Sequence, residues 1–267
     1  MKNSRSSAAQ SVTIDRADSV PIIDLDVNVV DLDRVIVSIA KLCSDGGAYV
    51  CLANVHMVME AHDSPDFRRT VNSAALVVPD GMPLVWMQKL QGRPDATRVR
   101  GNDLMVGVLS WAAENGIALG FFGGRSSVID RIRQRALRDF PRIRLDYTYS
   151  PPFRPLTDTE DEEVIRAIKA ADIDVLFVGL GCPKQEIWME QHRNSLGCVM
   201  IGVGAAFDFY AGSIRESPQW LGRLGLEWLY RLTLEPRRLW RRYITLNPRF
   251  IFSALKQLAS KSSRIKL

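Results

Sequence analysis

Short apolar runs alternate with amphipathic stretches over the first 212 residues of the chain. The runs are rich in Val, Ile, Leu and Phe, end near Gly, Asn or Asp, and lie at 48–54, 74–81, 117–124, 174–181 and 198–204. None alternates cleanly between apolar and polar positions, which is typical of strands buried on both faces of a parallel sheet. Helical patterns lie between them, at 54–73, 101–115, 125–139, 158–171 and 183–195. The alternation predicts an α/β fold with a Rossmann-like, mostly parallel sheet flanked by helices.

The pattern changes at about residue 213. The remainder is helical in pattern, and prolines are expected to break it at three positions, Pro218, Pro236 and Pro248. Two triplets recur at the spacing i, i+4, i+8: Trp220, Leu224 and Trp228, and Arg223, Glu227 and Arg231. The composition fits two structures, a helix packed on the body with an ordinary charged face, or a helix at a membrane interface.

Charge favours the membrane interpretation. Residues 213–267 hold 12 Lys and Arg against three acidic residues, a net charge of +9, whereas the rest of the chain carries −4. We therefore predict a disordered N-terminal tail at 1–20, an α/β catalytic body at 21–212 and a basic helical, membrane-associating appendage at 213–267. No recognition motif accompanies the basic stretch, so nucleic acid is not predicted as a partner.

The chain shows no apolar run of transmembrane length, and its polar N-terminal stretch has no apolar run of signal-peptide length. The prediction is a cytoplasmic protein that is peripheral on the inner face of the cell membrane. The sequence leaves the oligomeric state open, including a homo-oligomer. Four cysteines and three histidines show neither C-x-x-C nor H-E-x-x-H spacing, so no metal site is predicted.

Polar residues follow two of the predicted strands. Asn54 and His56 come directly after the first run, and Asp80 stands within Pro-Asp-Gly after the second. Pro-Asp-Gly is ordinary turn chemistry. A carboxylate at the carboxyl end of a buried strand is also where a general base would lie. His56 is expected to be a packed or capping residue.

Glycine-rich segments end the remaining runs, at 121–125, 179–184 and 202–207. Their backbone N–H groups, with Lys184 beside them, suit a ligand that contains phosphate. Neither of the last two segments completes G-x-G-x-x-G, since Lys184 and Phe207 occupy the final position, and the following acid, Asp208, comes too early. An NAD-dependent oxidoreductase is therefore disfavoured but stays an alternative.

Seven blocks occur in a characteristic order: ANVHMV, VVPDGMPLVW, RVRGNDL, FFGGR, VGLGCPKQEIW, IGVGAAFDFYAG and GLEWLYRLTLEPRRLWRRY. Over roughly residues 48–245 the chain resembles the WecG/TagA/CpsF glycosyltransferases. The resemblance implies an inverting, metal-independent enzyme without a cofactor. Such an enzyme moves one sugar from a nucleotide sugar, usually UDP-linked, to a polyprenyl-diphosphate-linked sugar in bacterial surface or exopolysaccharide synthesis. The basic C-terminal segment of the family helps to complete the active site and engages the membrane.

The resemblance also assigns roles to residues. Asp80 matches the proposed general base, and Leu52 stands where the family has a Thr before the Asn. The predicted substrate-binding residues are Asn54, Arg98, Lys184, Gln185 and Asp208. The C-terminal arginines expected to hold the diphosphate are Arg231, Arg238 and Arg241, and the sequence does not decide between them.

Alternatives remain at single residues and for the whole chain. Gln185 and Glu186 could simply begin a helix after Pro183. Trp188 is expected in the core. A non-catalytic nucleotide- and membrane-binding protein also fits the charge distribution.

Overall fold

The computed structural model of the protein describes residues 18–265, with the side chains of residues 219, 223 and 261–265 excluded. The strands are β1 (Ser19–Ile22), β2 (Leu25–Asn28), β3 (Ala48–Ala53), β4 (Leu76–Pro79), β5 (Ala118–Gly123), β6 (Arg144–Tyr149), β7 (Val175–Gly179) and β8 (Val199–Gly202). The helices are α1 (Leu32–Asp45), α2 (Val55–Asp63), α3 (Pro65–Asn72), α4 (Met82–Leu90), α5 (Gly101–Asn115), α6 (Ser126–Asp139), α7 (Asp158–Ala170), α8 (Lys184–His192), α9 (Ala206–Tyr210), α10 (Gln219–Arg223), α11 (Glu227–Leu234) and α12 (Pro236–Ile265).

The central sheet has six strands in the order β4-β3-β8-β7-β5-β6. Each of its neighbouring pairs is parallel, while β1 and β2 form a separate antiparallel hairpin. The predicted α/β fold with a mostly parallel sheet is therefore confirmed. All five predicted strands are present, and the sequence patterns did not indicate β6 or the hairpin.

Strand β3 shows why the apolar runs do not alternate. Tyr49, Cys51 and Ala53 point into a core layer shared with α2, α3 and α8. Val50 and Leu52 point into the opposite layer, shared with α1, α5 and α6. Because both faces of the strand are covered by helices, every position on it favours an apolar residue.

The helical pattern predicted at 54–73 is two helices rather than one. Ser64 ends α2, and its hydroxyl oxygen then accepts a hydrogen bond from the N–H of Phe67 at the start of α3. Pro65 occupies the first position of α3, where its missing N–H costs nothing. The chain therefore turns between two helices with little loss of hydrogen bonding.

Strand β1 is the first element of the described chain. Residues 1–17 of the predicted disordered tail lie outside the described residues, and β1 begins at Ser19. Strand β1 is tied to the far end of the chain, because Gln257 accepts a hydrogen bond from Ile23 N–H and donates one to the carbonyl oxygen of Pro21.

The C-terminal segment is helical, as the pattern predicts, but its breaks differ. Gly225, with a φ of +69°, separates α10 from α11, so the tryptophan triplet does not share one helix. Pro236 begins α12. The predicted break at Pro248 is wrong, because α12 continues through that residue. Phe250 and Ala254, just beyond it, are buried in the core, and this packing holds the helix together despite the proline.

Within the described part of the chain, no helix combines the length and the apolar character that crossing a membrane requires.

Candidate active site

A cavity of about 770 Å³ lies at the carboxyl ends of β3 and β4. Helices α2 and α4 of the body form one side, and α11 and α12 form the other. Its polar lining includes Asn54, His56, Asp80, Arg98, Glu227, Arg231 and Arg242. Four predicted site residues therefore meet here: Asn54, Asp80, Arg98 and Arg231. This is the sheet edge at which an open α/β fold places its ligands.

Asp80 is fixed by its backbone and by its side chain. Its N–H donates to the carbonyl of Ala53 over 2.8 Å, which continues the pairing of β4 with β3. Its carboxylate accepts a hydrogen bond from Gly101 N–H, over 3.2 Å. Arg98 donates from Nε to the Asp80 carbonyl oxygen, and its Nη2 lies 3.7 Å from Oδ1 of the carboxylate. About 27% of the Asp80 side chain remains exposed, so the cavity can reach it.

The electrostatics of the cavity make Asp80 more basic than a surface aspartate. Burial raises the pKa of Asp80 above its ordinary value, and the nearby Glu227 carboxylate raises it further. The Arg98 and Arg231 guanidinium groups and the Gly101 N–H oppose this rise. The net direction is upward, which strengthens the carboxylate as a proton acceptor.

Asn54 and His56 occupy the first turn of α2. The Asn54 side-chain oxygen caps the helix by accepting a hydrogen bond from Met57 N–H, over 3.3 Å. Burial, with a further contribution from Arg242, lowers the pKa of His56 to about 4. His56 is therefore neutral near pH 7, and its contact of 3.3 Å with Glu60 is not an ion pair. Asn54 and His56 both contribute to the polar lining of the cavity.

Glu227 is a cavity residue that the sequence reasoning missed. It projects from α11 and lies 2.7 Å from Nη1 of Arg98 and 3.7 Å from Nε of Arg100. Arg100 also donates to Glu216, over 3.1 Å. The sequence pattern offered only the spacing of Glu227 between Arg223 and Arg231, which suggested a solvated face. The sequence signal that could have indicated a role for Glu227 is that it is one of only three acidic residues in the basic segment 213–267.

The structure separates the C-terminal arginines. Arg231 lines the cavity, with its guanidinium carbon 5.4 Å from the centre of the Phe209 ring. Arg238 instead donates to Glu235 over 2.9 Å, and Arg241 lies over the Trp240 ring at 5.3 Å. Arg238 and Arg241 are not among the described lining residues of this cavity. Arg242, one position further, lines it and was not predicted.

Lys184 and Gln185 begin α8, as the sequence indicated, but they differ in environment. Lys184 is exposed, whereas Gln185 is 4% exposed. The Gln185 side-chain oxygen accepts from Gly181 N–H over 3.1 Å, and its amide nitrogen donates to Glu186 over 2.7 Å. Gln185 therefore stabilises the glycine loop through its hydrogen bond with Gly181. Its contact with substrate stays a prediction.

Glu186 and Trp188 are buried within α8. Trp188 is in the core, as expected. Burial raises the pKa of Glu186 to about 7, against the opposing hydrogen bond from Gln185. The Cys182 thiol also hydrogen-bonds the Glu186 carboxyl and opposes the rise, but burial dominates. Glu186 thus carries a proton near neutral pH more readily than a surface glutamate.

The glycine loops at the ends of β5 and β7 approach each other closely. A Cβ on Gly123 would lie 2.6 Å from the backbone of Gly179, and φ at Gly123 is +118°. Asp208, on α9, is half-buried, and burial raises its pKa against the influence of Arg238 and Arg125. Asp208 and Lys184 are not among the described residues that line the Asp80 cavity.

No cluster of three or more His, Cys, Asp or Glu that could hold a metal ion occurs among residues 18–265, to the extent that their side chains are described.

The sequence matches the model of one protein family, the glycosyl transferase WecG/TagA/CpsF family, over residues 20–264. The chain belongs to this family. An enzyme of Bacillus spizizenii is 33% identical over 211 residues, which is 79% of each chain. One of Bacillus subtilis is 28% identical, over 81% of this chain and 82% of the relative. One of Staphylococcus aureus is 29% identical, over 74% and 76%. All three are named N-acetylglucosaminyldiphosphoundecaprenol N-acetyl-β-D-mannosaminyltransferase.

Membership in the WecG/TagA/CpsF family confirms the resemblance noted from the sequence blocks, and the protein is a glycosyltransferase. No comparison favours the oxidoreductase alternative. The match spans the α/β body and the C-terminal helices together, so the family model includes both walls of the cavity.

Proposed function

We propose that the protein is an inverting, metal-independent glycosyltransferase that moves one sugar from a UDP-sugar to a polyprenyl-diphosphate-linked sugar. The relatives' names make N-acetylmannosamine the first donor sugar to test and N-acetylglucosaminyldiphosphoundecaprenol the first acceptor. The observation that carries the proposal is the cavity itself. It combines the Asp80 carboxylate, whose pKa is raised, with cationic side chains and a long apolar wall.

Asp80 is the proposed general base. It takes the proton of an acceptor hydroxyl, whose oxygen then attacks the anomeric carbon of the donor. The new glycosidic bond forms as the bond from that carbon to the diphosphate oxygen breaks, and the electron pair leaves with UDP. Attack from the face opposite the leaving group inverts the anomeric centre. One carboxylate suffices for this step, because the diphosphate leaves as an anion stabilised by cationic side chains and needs no general acid to protonate it, unlike the leaving group of a glycosidase.

The departing diphosphate requires fixed positive charge. Arg231 and Arg242 reach the cavity that contains Asp80, and guanidinium groups bind phosphate oxygens with two hydrogen bonds. Arg98 is already held by Asp80 and Glu227. We therefore assign the diphosphate first to Arg231 and Arg242. Arg238 and Arg241 remain weaker candidates from the sequence.

The nucleotide end of the donor suits the neighbouring glycine loops. Gly123, Gly179 and Gly181 lie at the carboxyl edge of the sheet, and α6 begins beside Gly124. Backbone N–H groups at such loops bind phosphate oxygens. Lys184 and Asp208 flank this edge and are the polar residues proposed to contact the nucleotide.

The acceptor's hydrocarbon chain suits the apolar wall of the cavity. Helix α4 contributes Trp86 and Leu90, and α12 contributes Ile251 and Leu255. All four side chains are more than 40% exposed, so the apolar wall continues to the protein surface. With the +9 charge of residues 213–267, this surface supports peripheral binding to the anionic inner face of the cell membrane.

A donor screen tests the proposal. The full chain is incubated with UDP-N-acetylmannosamine, UDP-N-acetylglucosamine, UDP-glucose or UDP-galactose and a synthetic polyprenyl-diphosphate N-acetylglucosamine. Mass spectrometry detects transfer, and NMR assigns the anomeric configuration. Formation of the inverted disaccharide supports the proposal. Absence of transfer, together with a thermal shift from NAD and none from UDP, would overturn it.

A further inference from the structure

Arg98 lies between two carboxylates that come from different parts of the chain. Its Nη1 is 2.7 Å from Glu227, whereas its Nη2 is 3.7 Å from Asp80. The guanidinium is thus drawn toward Glu227 on α11 and away from the carboxylate of Asp80. All three side chains are largely buried, with exposures of 14% for Arg98, 15% for Glu227 and 27% for Asp80. Charges at such positions interact more strongly than they would in water.

A second arginine holds Glu227 on its other side. Arg100 approaches Glu227 at 3.7 Å and also pairs with Glu216 and Asp103. Glu227 is therefore anchored independently of Asp80. The body of the protein supplies both arginines, and the C-terminal segment supplies the acid that engages them.

We propose that Glu227 is a positioning residue for the transfer reaction: it holds Arg98 so that the Asp80 carboxylate stays free to accept the acceptor's proton. Without Glu227, the Arg98 guanidinium would move from its present 3.7 Å to hydrogen-bonding distance of the Asp80 carboxylate and weaken the base. The C-terminal segment thereby contributes to the environment of Asp80 as well as to the wall of the cavity. This inference rests on the proposed role of Asp80 as the base.

The sign of the pH effect follows from the charges around Asp80. Burial and Glu227 raise the pKa of Asp80, while Arg98 and Arg231 lower it. Replacing Glu227 by Gln removes one raising influence and releases Arg98, so both changes lower the pKa of Asp80. The other charged and titratable groups that face the cavity are His56 on α2, Arg231 on α11 and Arg242 on α12, and this variant replaces none of them.

The experiment is a pH–rate profile of sugar transfer by the full-length protein and the variants Glu227→Gln and Glu227→Asp. We expect Glu227→Gln to move the acidic limb of kcat to lower pH and to lower the plateau by about tenfold. Glu227→Asp keeps the charge and should restore part of the wild-type profile. Glu216→Gln is the matched control, because it removes a partner of Arg100 but none of Arg98, and it should leave the limb unchanged.

A purely structural role for Glu227 predicts a different result. Glu227→Gln would then lower the melting temperature or the amount of active protein, and the acidic limb would stay at its wild-type pH. That outcome overturns the inference. If Glu227→Gln does not fold, the profile of Glu227→Asp decides, since its weaker hold on Arg98 should still shift the limb downward.

Asp80→Asn separates this inference from the proposed function. Normal transfer by Asp80→Asn would refute the base itself. Inactivity of Asp80→Asn with an unshifted limb in the Glu227 variants would refute only the role of Glu227. A double-mutant cycle with Arg98→Gln adds a further check, because Glu227→Gln should have little additional effect once Arg98 is gone.

Discussion

The carboxylate of Asp80 accepts a hydrogen bond from the backbone N–H of Gly101, over 3.2 Å. Gly101 begins α5, so the first N–H of that helix, which has no partner within the helix, is directed at the proposed base. The contact orients the carboxylate and leaves part of it exposed to the cavity. It also explains how a turn residue after β4 is held in one position.

Asp80→Asn should abolish most of the transfer activity. The amide keeps the size of the side chain, and its oxygen can still accept from Gly101, so the fold should persist. It cannot accept the acceptor's proton, and kcat should fall by about 10²- to 10⁴-fold. The measurement is initial rate with lipid-linked acceptor, with Asp33→Asn, an exposed acid on α1, as the control. Near-normal kcat in Asp80→Asn would leave Asp80 as a turn residue only.

Arg231→Gln should impair transfer more than Arg241→Gln. Arg231 reaches the cavity, whereas Arg241 stacks on Trp240 outside it. Loss of one charged donor to a leaving group costs roughly 10²-fold in kcat, and Arg241→Gln should change kcat by less than about threefold. Steady-state kinetics with varied UDP-sugar measures the difference, and circular dichroism checks the fold. Equal losses in the two variants would contradict the assignment of the diphosphate to Arg231.

The fold was largely predictable, because strands buried on both faces leave long apolar runs in the sequence. Strand β6 was not, since it is an edge strand whose residues, RLDYTY, are exposed or half-buried. The break within 54–73 depended on Ser64 and Pro65, which can cap a helix or interrupt one. Pro248 gave the opposite error, because burial of Phe250 and Ala254 outweighs the local cost of the proline.

The site was predictable where a residue sits at the end of a strand. Asn54 and Asp80 meet because parallel neighbouring strands end at the same edge of the sheet. Glu227 was not predictable in this way, since its contact with Arg98 joins positions 129 residues apart through packing of α11 on the body. Gln185 shows that position alone is not sufficient. It lies beside a loop at the ligand-binding edge of the sheet, but its side chain is hydrogen-bonded to Gly181 and Glu186 within the protein.

Ile251→Ser combined with Leu255→Ser should weaken membrane binding. Both side chains are more than half exposed on α12, and burying each in a membrane interface contributes about 1.5–3 kcal/mol. In a flotation assay with vesicles that contain anionic lipid, the affinity of the full-length double variant for the vesicles should be at least about tenfold lower than that of the wild type. The control is Phe153→Ser, which changes an exposed aromatic residue beyond β6, at the opposite edge of the sheet from β4. Equal flotation of the double variant and the wild type would refute this surface as the membrane contact.

Glu186→Gln should stabilise the protein at alkaline pH and have little effect at acidic pH. Burial raises the pKa of Glu186 from its ordinary value of 4.5 to about 7, so the folded protein holds this proton more tightly than the unfolded chain does. The corresponding stability is fully present below about pH 4.5 and is lost as pH rises through about 7. Glutamine remains neutral at every pH and retains the acceptor for Gln185. The variant should therefore gain up to about 3 kcal/mol at pH 8.

Urea unfolding at pH 5 and pH 8 measures this difference. Glu190→Gln provides the matched control, because it removes a glutamate from the same helix that is only partly buried. A Glu186→Gln variant that is less stable than wild type at pH 8 would show that the carboxylate is charged and paired there. The burial of Glu186 argues against that result, since a charged carboxylate in the core without a cationic partner would cost several kcal/mol.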